Sequence, residues 1–198
     1  MLMIGEFRPG ESVSIRTLAR RLQCGAMPVR EAVTRLIAEQ ALQMLPNRQV
    51  IVPRMTHRKF AELFEVRRML EGMAAEAGSK NADQTLIDRL EHHHHELLEA
   101  LEDDDPARIL EKNKDFHFAL YLAANSEVLM PMIEGLWMQA GPFLFLSLSF
   151  RKTSWQASQH AVTLEAVRRR DHAGVRRAIE NDIDLGAEIL MQKAVFNL

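Results

Sequence analysis

The sequence lacks most of the features that mark an exported or membrane-inserted protein. It contains one cysteine in 198 residues, so no internal disulfide bond is available. No basic segment followed by an apolar one stands at the N-terminus, so no signal peptide is expected. The most apolar stretch, 128–150, is interrupted by two prolines, a glutamate and a glutamine, which argues against a membrane-spanning helix. These absences favour a cytoplasmic protein with 128–150 in its core or in a dimer interface.

The sequence also has no large excess of either sign of charge, because its net charge is only −2. That small total conceals an asymmetry between the two ends of the chain. Up to Pro53 there are seven arginines and four glutamates, a surplus of three positive charges, so the remainder carries five net negative charges. A small basic segment joined to a larger acidic one is typical of a polyanion-binding head on a body with another role.

Two short helices are predicted near the N-terminus. A Pro-Gly turn is followed by Ser14, a typical N-cap, and by a first helix. The inner face of this helix consists of Leu18, Ala19 and Leu22. After a tight turn at Cys24 and Gly25, a second helix is predicted to start at Pro28, a residue suited to the first helical position. Its apolar stripe has helical spacing and consists of Val29, Ala32, Val33, Leu36 and Ile37.

The segment ALQMLPNRQVIVP, 41–53, predicts two short strands joined by a polar turn at 46–49. The order helix, tight turn, helix, hairpin is that of a winged helix-turn-helix. Opposite the apolar stripe, the second helix presents Met27, Arg30, Glu31, Thr34 and Arg35 to solvent or to a partner.

From His57 onward the apolar residues repeat with a period of 3.6 and show no strand-like alternation. The predicted helices span 57–78, 83–103, 106–125, 126–150 with a break near Pro142, 154–170 and 171–195. The sequence therefore predicts a mainly α protein. A winged helix-turn-helix occupies 1–53, a short hinge follows at 54–56, and an all-helical bundle occupies 57–198.

A recognition helix enters the major groove by its N-terminal end, so cationic or hydrogen-bonding side chains are expected there. Arg30 has this position. Arg16, in the first turn of the preceding helix, and Arg48, at the tip of the wing, could reach phosphates or the minor groove. The alternative is that these are solvated arginines, but three of them around one winged helix favour DNA. The candidate DNA-binding residues are Arg16, Met27, Arg30, Thr34, Arg35 and Arg48.

Two parts of the chain resemble known families. The segment PGESVSIRTLARRLQCGAMPVREAVTRLIAEQAL resembles the winged helix of the GntR family, whose pattern is PG-x-x-L followed by LA-x-x-L-G-V-S-R-T-P-V-R-E-A-L-x-x-L. The rest resembles the all-helical FCD effector domain of the FadR-like branch. FEVRRMLEGMAAEAG is similar to its R-x-x-LE-x-x-AA opening, and NKDFHFALYLAANSEVL to its D-x-x-FH-x-x-L-x-x-x-x-x-N segment. The resemblance implies a homodimeric, ligand-controlled transcriptional regulator, by our interpretation a repressor, that binds a short palindromic operator.

The head departs from the family pattern at three places. Gly25, Ala26 and Met27 stand where the family usually has S-R-T. This removes a base-contacting arginine and makes Met27 a poor N-cap, which we expect to cost about 1 kcal/mol of helix stability. The wing has PNRQ in place of its common glycine. The first helix of the family is almost absent, since only Met1 to Ile4 precede GEFRPG, so either the natural start lies further upstream or the head is incomplete.

Asn113 and His117 lie four residues apart, so on a helix both side chains project from one face, as metal ligation requires. The FCD resemblance implies metal-ligand roles for Asn113, His117, His160 and Asp182, with Asp182 standing where the family usually has histidine. Such a mixed set of nitrogen and oxygen donors suits Zn²⁺, Ni²⁺ or Mn²⁺ and leaves positions open for water or an effector carboxylate. Taken singly, each histidine is more often a hydrogen-bonded core residue than a ligand.

Arg67 interrupts an apolar stripe on the first body helix. The stripe consists of Phe60, Leu63, Phe64, Leu70 and Ala74. A guanidinium in such a place is costly unless it meets an anion. One candidate anion is Glu71, four residues further on. The other is a small carboxylate effector bound at the metal, which Arg67 would clamp.

The run EHHHHELLEA suggests a metal-binding tract, but consecutive residues on a helix point in different directions. At most two of the residues His92 to His95 can share an ion. We therefore interpret the run as a solvated helix face.

Three functions remain open from the sequence. The leading one is a transcription factor whose helical body binds a divalent metal ion and an organic acid and changes the operator affinity of the head. The second is a metal-dependent enzyme, which lacks a clear general base or nucleophile beside the metal and gives no reason for a basic head. The third is a helical binding protein that has lost DNA binding, which Ala26, Met27 and the short N-terminus favour.

Overall fold

The computed structural model describes residues 1–148 and 155–192, and within those ranges the chain forms eight α-helices and one two-stranded sheet. After a 3-10 turn at Leu2–Ile4, the elements are α1 (Ile15–Arg21), α2 (Ala26–Ala38), β1 (Gln43–Met44), β2 (Val50–Ile51), α3 (His57–Lys80), α4 (Gln84–Glu102), α5 (Pro106–Leu122), α6 (Leu129–Leu148), α7 (Trp155–Arg168) and α8 (His172–Gln192). The predicted helix ends at 150 and 195 and the predicted start at 154 lie outside the described residues. The prediction of a mainly α protein with a winged helix-turn-helix and a helical bundle is confirmed.

The second head helix begins earlier than predicted. α2 starts at Ala26 with Gly25 as its N-cap residue and no side-chain cap, so the predicted start at Pro28 is wrong by two residues. Pro28 is tolerated because backbone N–H groups in the first turn have no intrahelical acceptor. Met27 is therefore the second helical residue and not the N-cap. Ser14 caps α1 as predicted, because its side chain accepts a backbone hydrogen bond.

The inner faces of the head helices are less buried than the sequence predicted. Leu22 is 54% exposed, and Ala32 is also exposed. Of the five apolar residues predicted to be buried on α2, only Val29 and Val33 are fully buried. The physical reason is a cavity of about 500 Å³ between the N-terminal residues, the two head helices and the body, which these side chains line without filling.

The wing is a short antiparallel hairpin. β1 and β2 pair in the register that places Gln43 opposite Ile51, and the predicted polar turn at 46–49 connects them. Ser12 pairs with Ile51 from the other side, so a third segment that the sequence did not predict extends the hairpin.

The body is a bundle of six helices around one apolar core. α3 packs against α5, α6 and α8, and α4 packs against α5 and α7. The side chains fully shielded from solvent include Phe60, Leu90, Phe116, Leu120, Ile133, Trp137 and Ile179. All six predicted body helices are present, with described ends within three residues of the prediction.

Helix α6 continues through a proline without ending. α6 runs from Leu129 to Leu148 and contains Pro142, so the predicted break there is wrong. Proline removes one backbone hydrogen bond and disfavours a helix interior. Ala140 and Phe143 on either side are buried in the core, and this packing holds both halves of the helix in place. No helix in the described ranges is long and apolar enough to cross a bilayer.

The body contacts the head through the N-terminal turn and α6. The backbone of the turn lies against Gly141, where an added Cβ would collide with the Leu2 carbonyl oxygen. Met138 packs against the head core. Gln139 donates a hydrogen bond from Nε2 to the carbonyl of Glu39, the C-cap residue of α2, at 3.4 Å. The recognition helix is therefore supported at its C-terminal end by a body helix.

Candidate metal centre and nucleic-acid interface

Three body helices bring the four predicted metal-ligand candidates together. α5 carries Asn113 and His117 one turn apart, α7 carries His160 and α8 carries Asp182, and all four are buried. One ligand atom from each of His117, His160 and Asp182 lies within 4.8 Å of the other two. Asn113 lines the same small cavity as His117 and Asp182. Residues separated by up to 69 positions thus form one cluster.

The polar atoms of this cluster have unused capacity for ligands. Asn113 Oδ1, Asp182 Oδ1 and both ring nitrogens of His160 are buried without a hydrogen-bond partner among the described residues. Buried polar groups are nearly always paired, because a lone one costs about 1–3 kcal/mol. Imidazole nitrogens together with carboxylate and amide oxygens are common protein donors to divalent metal ions, so the residues present fit such an ion.

Tyr121 sets the orientation of the His117 ring. The Tyr121 hydroxyl donates its one proton to Glu71 Oε2 at 2.9 Å, so its oxygen accepts from His117 Nδ1 at 3.0 Å. With the proton on Nδ1, a neutral imidazole carries its lone pair on Nε2. His117 Nε2 lies 3.0 Å from Asp182 Oδ2. Two electron-rich atoms at this distance need either a shared proton or a cation between them.

Burial controls the protonation of the donors. Desolvation raises the pKa of the Asp182 carboxyl group, and the adjacent His117 ring opposes that rise. Desolvation also lowers the pKa of His160 well below its ordinary value of 6.5, and the nearby His117 and His94 lower it further. His160 is therefore neutral, which is the form of histidine that binds metal.

Arg67 is buried beside this cluster and pairs with Glu71, the partner that the sequence offered as one of two candidates. Its Nε donates to Glu71 Oε1 at 2.7 Å, and its guanidinium carbon lies 4.8 Å from the ring centres of Phe64 and Trp137. Trp137 Nε1 donates to the same carboxylate at 2.8 Å. The cavity that Arg67 shares with the metal-ligand candidates holds about 20 Å³, which is room for an ion or one water molecule.

The histidine run is only partly the solvated face that the sequence predicted. His92 and His95 are exposed and lie near Glu96 and Glu99 on the same helix. His94 instead points inward, and its ring centre lies 6.1 Å from that of His160. The sequence also gave no signal for Trp137, which arrives from another helix. Tyr121 could have been found, because it lies four residues after His117 on the same face.

The candidate DNA-binding side chains lie on the outer surface of the head. Arg16, Arg30 and Arg48 are exposed, and none has an acidic partner within 4.0 Å among the described residues. Met27, at the first turn of α2, is 64% exposed. Three cations without partners, one on each of α1, α2 and the wing, are therefore available to a polyanion.

Two other candidates on α2 have partners of their own. Arg35 donates from Nε to Glu39 Oε1 at 2.7 Å, one turn further along the helix. The Thr34 hydroxyl donates to the carbonyl oxygen of Arg30 at 2.9 Å. Both side chains remain exposed, so a bound phosphate or base could still exchange these contacts for its own.

A winged helix-turn-helix head with exposed arginines, joined to a helical bundle, is the architecture of a DNA-binding transcriptional regulator. Comparison with known families agrees. The gntR family of bacterial regulatory proteins matches residues 1–52, and the FCD domain matches residues 62–185. The chain therefore belongs to the GntR family and carries an FCD domain, and it is a DNA-binding transcriptional regulator.

Named relatives are regulators as well, which leaves the enzyme hypothesis without support. The HTH-type transcriptional regulator McbR of Escherichia coli K12 is 29% identical over 97% of this chain and 88% of its own. The transcriptional repressor GlaR of the same organism is 26% identical over 98% and 92%. The solved structure of E. coli McbR/YncC superposes with a TM-score of 0.89 over 97% of this chain and 92% of that one. A GntR regulator from Rhodococcus sp. RHA1, 21% identical, shares the fold with a TM-score of 0.75 over 96% and 91%.

Proposed function

We propose that this regulator is a homodimeric repressor whose body binds a divalent metal ion and a small carboxylate effector. The head would bind a short palindromic operator in double-stranded DNA, and the effector would change that affinity. The observation that carries this proposal is the course of α6. Its consecutive residues contact first the surroundings of the donor cluster and then the recognition helix.

The contacts of α6 form a continuous path of packed groups. Trp137 donates to Glu71 at 2.8 Å, inside the network that orients His117. Met138 packs against the head core, and Gln139 hydrogen-bonds the end of α2. A ligand that displaces Trp137 would therefore shift the support of the helix that reads DNA. Such a shift is a differential contact between two states, as allosteric coupling requires.

In this proposal the metal ion is held by Asn113, His117, His160 and Asp182. When bound, the ion would supply a Lewis-acidic centre with open positions for a carboxylate oxygen. The chain contributes the orientation of its donors, since Tyr121 keeps the lone pair of His117 on Nε2. Zn²⁺, Ni²⁺ and Mn²⁺ all accept this mixture of donors.

Arg67 would bind the carboxylate of the effector. It is the cationic residue in the lining of the cavity that also contains three of the metal-ligand candidates. Because that cavity holds only about 20 Å³, an organic acid would have to move the lining side chains as it enters. Trp137 lies over the Arg67 guanidinium, so it is one of the groups that would move.

Base and phosphate contacts would come from Arg16, Met27, Arg30, Thr34, Arg35 and Arg48. Arg30 in the first half of α2 would reach base edges, whereas Arg16 and Arg48 would flank it on the phosphate backbone. A dimer places two recognition helices in successive major grooves, which is why the operator should be palindromic.

Fluorescence anisotropy with promoter DNA of the protein's own gene, titrated with salt, tests the DNA-binding half of the proposal. We expect Arg30→Ala to weaken binding about 10-fold or more, since one good base contact contributes about 1–3 kcal/mol. Arg169→Ala is the matched control, because this exposed arginine lies on the body. If the full chain shows no salt-dependent, sequence-preferring binding, the hypothesis of a helical protein that has lost DNA binding takes its place.

Competition with a chromophoric chelator tests the metal half. We expect one equivalent of Zn²⁺, Ni²⁺ or Mn²⁺ to bind and Asp182→Ala to lose that binding. A chain that binds none of these metals, while its circular dichroism shows a folded helical protein, contradicts this half and leaves DNA binding untouched.

A further inference from the structure

The outer surface of helices α3 and α6 carries large apolar side chains that no part of the chain in residues 1–148 and 155–192 covers. They are Val66, Met69 and Met73 on α3, Val128 just before α6 and Met132 in its first turn, and between 38% and 71% of each residue is exposed. Within each set the residues are three or four positions apart, so each set forms one row on one side of its helix. We call this surface the α3–α6 face.

The two rows belong to one surface, because α3 and α6 pack side by side. Trp137 donates to Glu71 at 2.8 Å, and the ring centres of Phe143 and Phe60 lie 5.8 Å apart, so the two helices run in opposite directions. Leu70, partly buried against the core that both helices share, follows the exposed α3 row on the side towards α6. The α3–α6 face is therefore a continuous apolar patch.

The size of the α3–α6 face is unusual for a surface left in water. Its exposed apolar side chains present on the order of 500 Å² in total, near the upper end of what a monomer exposes as one apolar patch. A stable protein interface buries about 800 Å² on each partner, of which somewhat more than half is apolar. The face thus has the area of the apolar part of one such interface.

A glycine on the same face has no explanation within one chain. Gly135 lies in the interior of α6, three residues after Met132, where glycine is among the least favourable residues. A Cβ added there would meet no atom of the described residues within 4 Å beyond the adjoining backbone of α6. At the helical glycines Gly72, Gly78 and Gly141, by contrast, an added Cβ would run into another element of the chain. A residue without a side chain lets a second backbone come close, so Gly135 suits the approach of a partner helix.

The charges at the ends of the α3 row complement a second copy of that row. Glu62 precedes the row and Lys80 follows it, on the same side of the helix because they are about five full turns apart. Both are equally distant from the midpoint between Met69 and Met73. Two copies of α3 packed antiparallel about this midpoint would set Glu62 opposite Lys80 of the partner subunit, as a two-fold axis requires. Each charge is now paired with a neighbour in its own helix, and such exposed pairs contribute little and can be exchanged.

We propose that a second copy of this chain covers the α3–α6 face, with the two copies of α3 antiparallel and with Gly135 at a point of close helix approach. The inference rests on the homodimer of the proposed function and assigns the surface through which that dimer forms. It gives α6 a third contact, since the same helix holds Trp137 in the donor network and Gln139 against the head. A ligand that displaces Trp137 would therefore also act on the distance between the two heads.

Sedimentation velocity of the full chain over a range of micromolar concentrations tests the inference. Gly135→Leu is the central variant, because leucine has open space in the monomer and favours a helix more than glycine does. We expect unchanged circular dichroism and a dimer dissociation constant raised about 30-fold or more, the effect of losing a central contact. Met69→Glu should weaken the dimer similarly. Val162→Glu is the matched control, since this exposed valine lies on α7 outside the face and its substitution should leave dimerisation unchanged.

The antiparallel arrangement of α3 has a readout of its own. Glu62→Lys should weaken dimerisation a few-fold, and the double variant Glu62→Lys with Lys80→Glu should restore it, because the pairing only changes direction. A double variant that stays weakened overturns the antiparallel arrangement. If Gly135→Leu and Met69→Glu dimerise as the wild type does, the α3–α6 face is not the interface and the inference fails while the homodimer stands. A wild type that remains a monomer at every concentration removes the homodimer itself, so the two failures are distinguishable.

Discussion

The head and the body of this regulator place their arginine side chains in opposite environments. In the head, Arg16, Arg30 and Arg48 are exposed to solvent without acidic partners among the described residues. In the body, Arg67 and Glu71 are almost fully buried and paired. Exposed arginines cost little to keep and are free to bind phosphate, whereas buried charges must be satisfied inside the fold.

The interiors of the head and the body also differ, in how fully they are packed. The head contains one apolar cluster beside a cavity of about 500 Å³, and the body encloses a chamber of about 20 Å³ beside the donor cluster. A loosely filled head can adjust when its support moves. The body is tightly packed around the donor cluster, so few side-chain arrangements are open to it there. The comparison predicts that similar substitutions will lower the free energy of unfolding more in the body than in the head.

The largest effect should follow from breaking the buried ion pair. Arg67→Met leaves Glu71 charged and fully buried, with only its bonds from Tyr121 and Trp137, so we expect a loss of about 3–5 kcal/mol in the free energy of unfolding. Urea unfolding of the metal-free chain measures this. Arg68→Met is the control, because the neighbouring arginine is partly exposed and should cost little. Equal losses in both variants would show that the buried network is not special.

Metal binding should give the next largest effect on the free energy of unfolding, and this effect should depend on residues of the body alone. Zn²⁺ at about 100 times its dissociation constant should raise the free energy of unfolding by about 2.7 kcal/mol. Asp182→Ala should abolish the gain, since it removes a donor from the cluster. Ala26→Ser in the head should leave the gain unchanged. Stabilisation that persists in Asp182→Ala would place the ion elsewhere.

Adding a methyl group should also separate the two regions. Gly78 lies where a Cβ would run into the Leu120 carbonyl oxygen, so Gly78→Ala should cost about 1–3 kcal/mol through overpacking. Ala32→Leu adds a larger group, but it faces the head cavity and should be neutral or stabilising. Thermal melting of both variants, followed by circular dichroism, compares them. A destabilising Ala32→Leu would mean that the head cavity is less accommodating than its size indicates.

The same contrast explains what the sequence could and could not predict. Helix periodicity gave the body helices closely, because burial of a continuous apolar stripe determines both the pattern and the fold. It overestimated burial at Leu22 and Ala32, because a repeat of apolar residues does not show whether anything packs against them. The predicted helix break at Pro142 was wrong as well, because tertiary packing keeps the helix intact there. The family resemblance brought Asn113 and Asp182 into one cluster, but the inward turn of His94 depends on a neighbouring helix and has no local signal.

A strained turn in the wing offers a smaller test. Arg48 has a positive φ of 65°, a conformation that favours glycine, and the wing lacks the glycine common in the family. Arg48→Gly should therefore raise the stability of the chain by up to about 1 kcal/mol while weakening salt-dependent DNA binding. Arg170→Gly, at φ 56° in the body, should bring a similar gain without any change in DNA affinity. If Arg48→Gly binds DNA as well as the wild type, the wing arginine does not contact the operator.

The smallest effect should come from ion pairs near the surface. Lys112 and Glu96 join α5 to α4 at 2.7 Å with about a fifth of each side chain exposed, whereas Arg35 pairs with Glu39 inside one helix. Lys112→Met should cost at most about 1 kcal/mol, and Arg35→Met should leave the unfolding midpoint unchanged.

The hydrogen bond from Lys112, with a smaller one from His93, lowers the pKa of Glu96 below 4.5. The unfolded chain therefore binds this proton first as the pH falls, so the contribution of the Lys112 pair is fully present above about pH 4.5 and is lost progressively as the pH falls from there through the lowered pKa of Glu96. Urea titrations at pH 7 and pH 4 should show a smaller difference between wild type and Lys112→Met at the lower pH, and an unchanged difference would mean that packing of the lysine stem outweighs its charge.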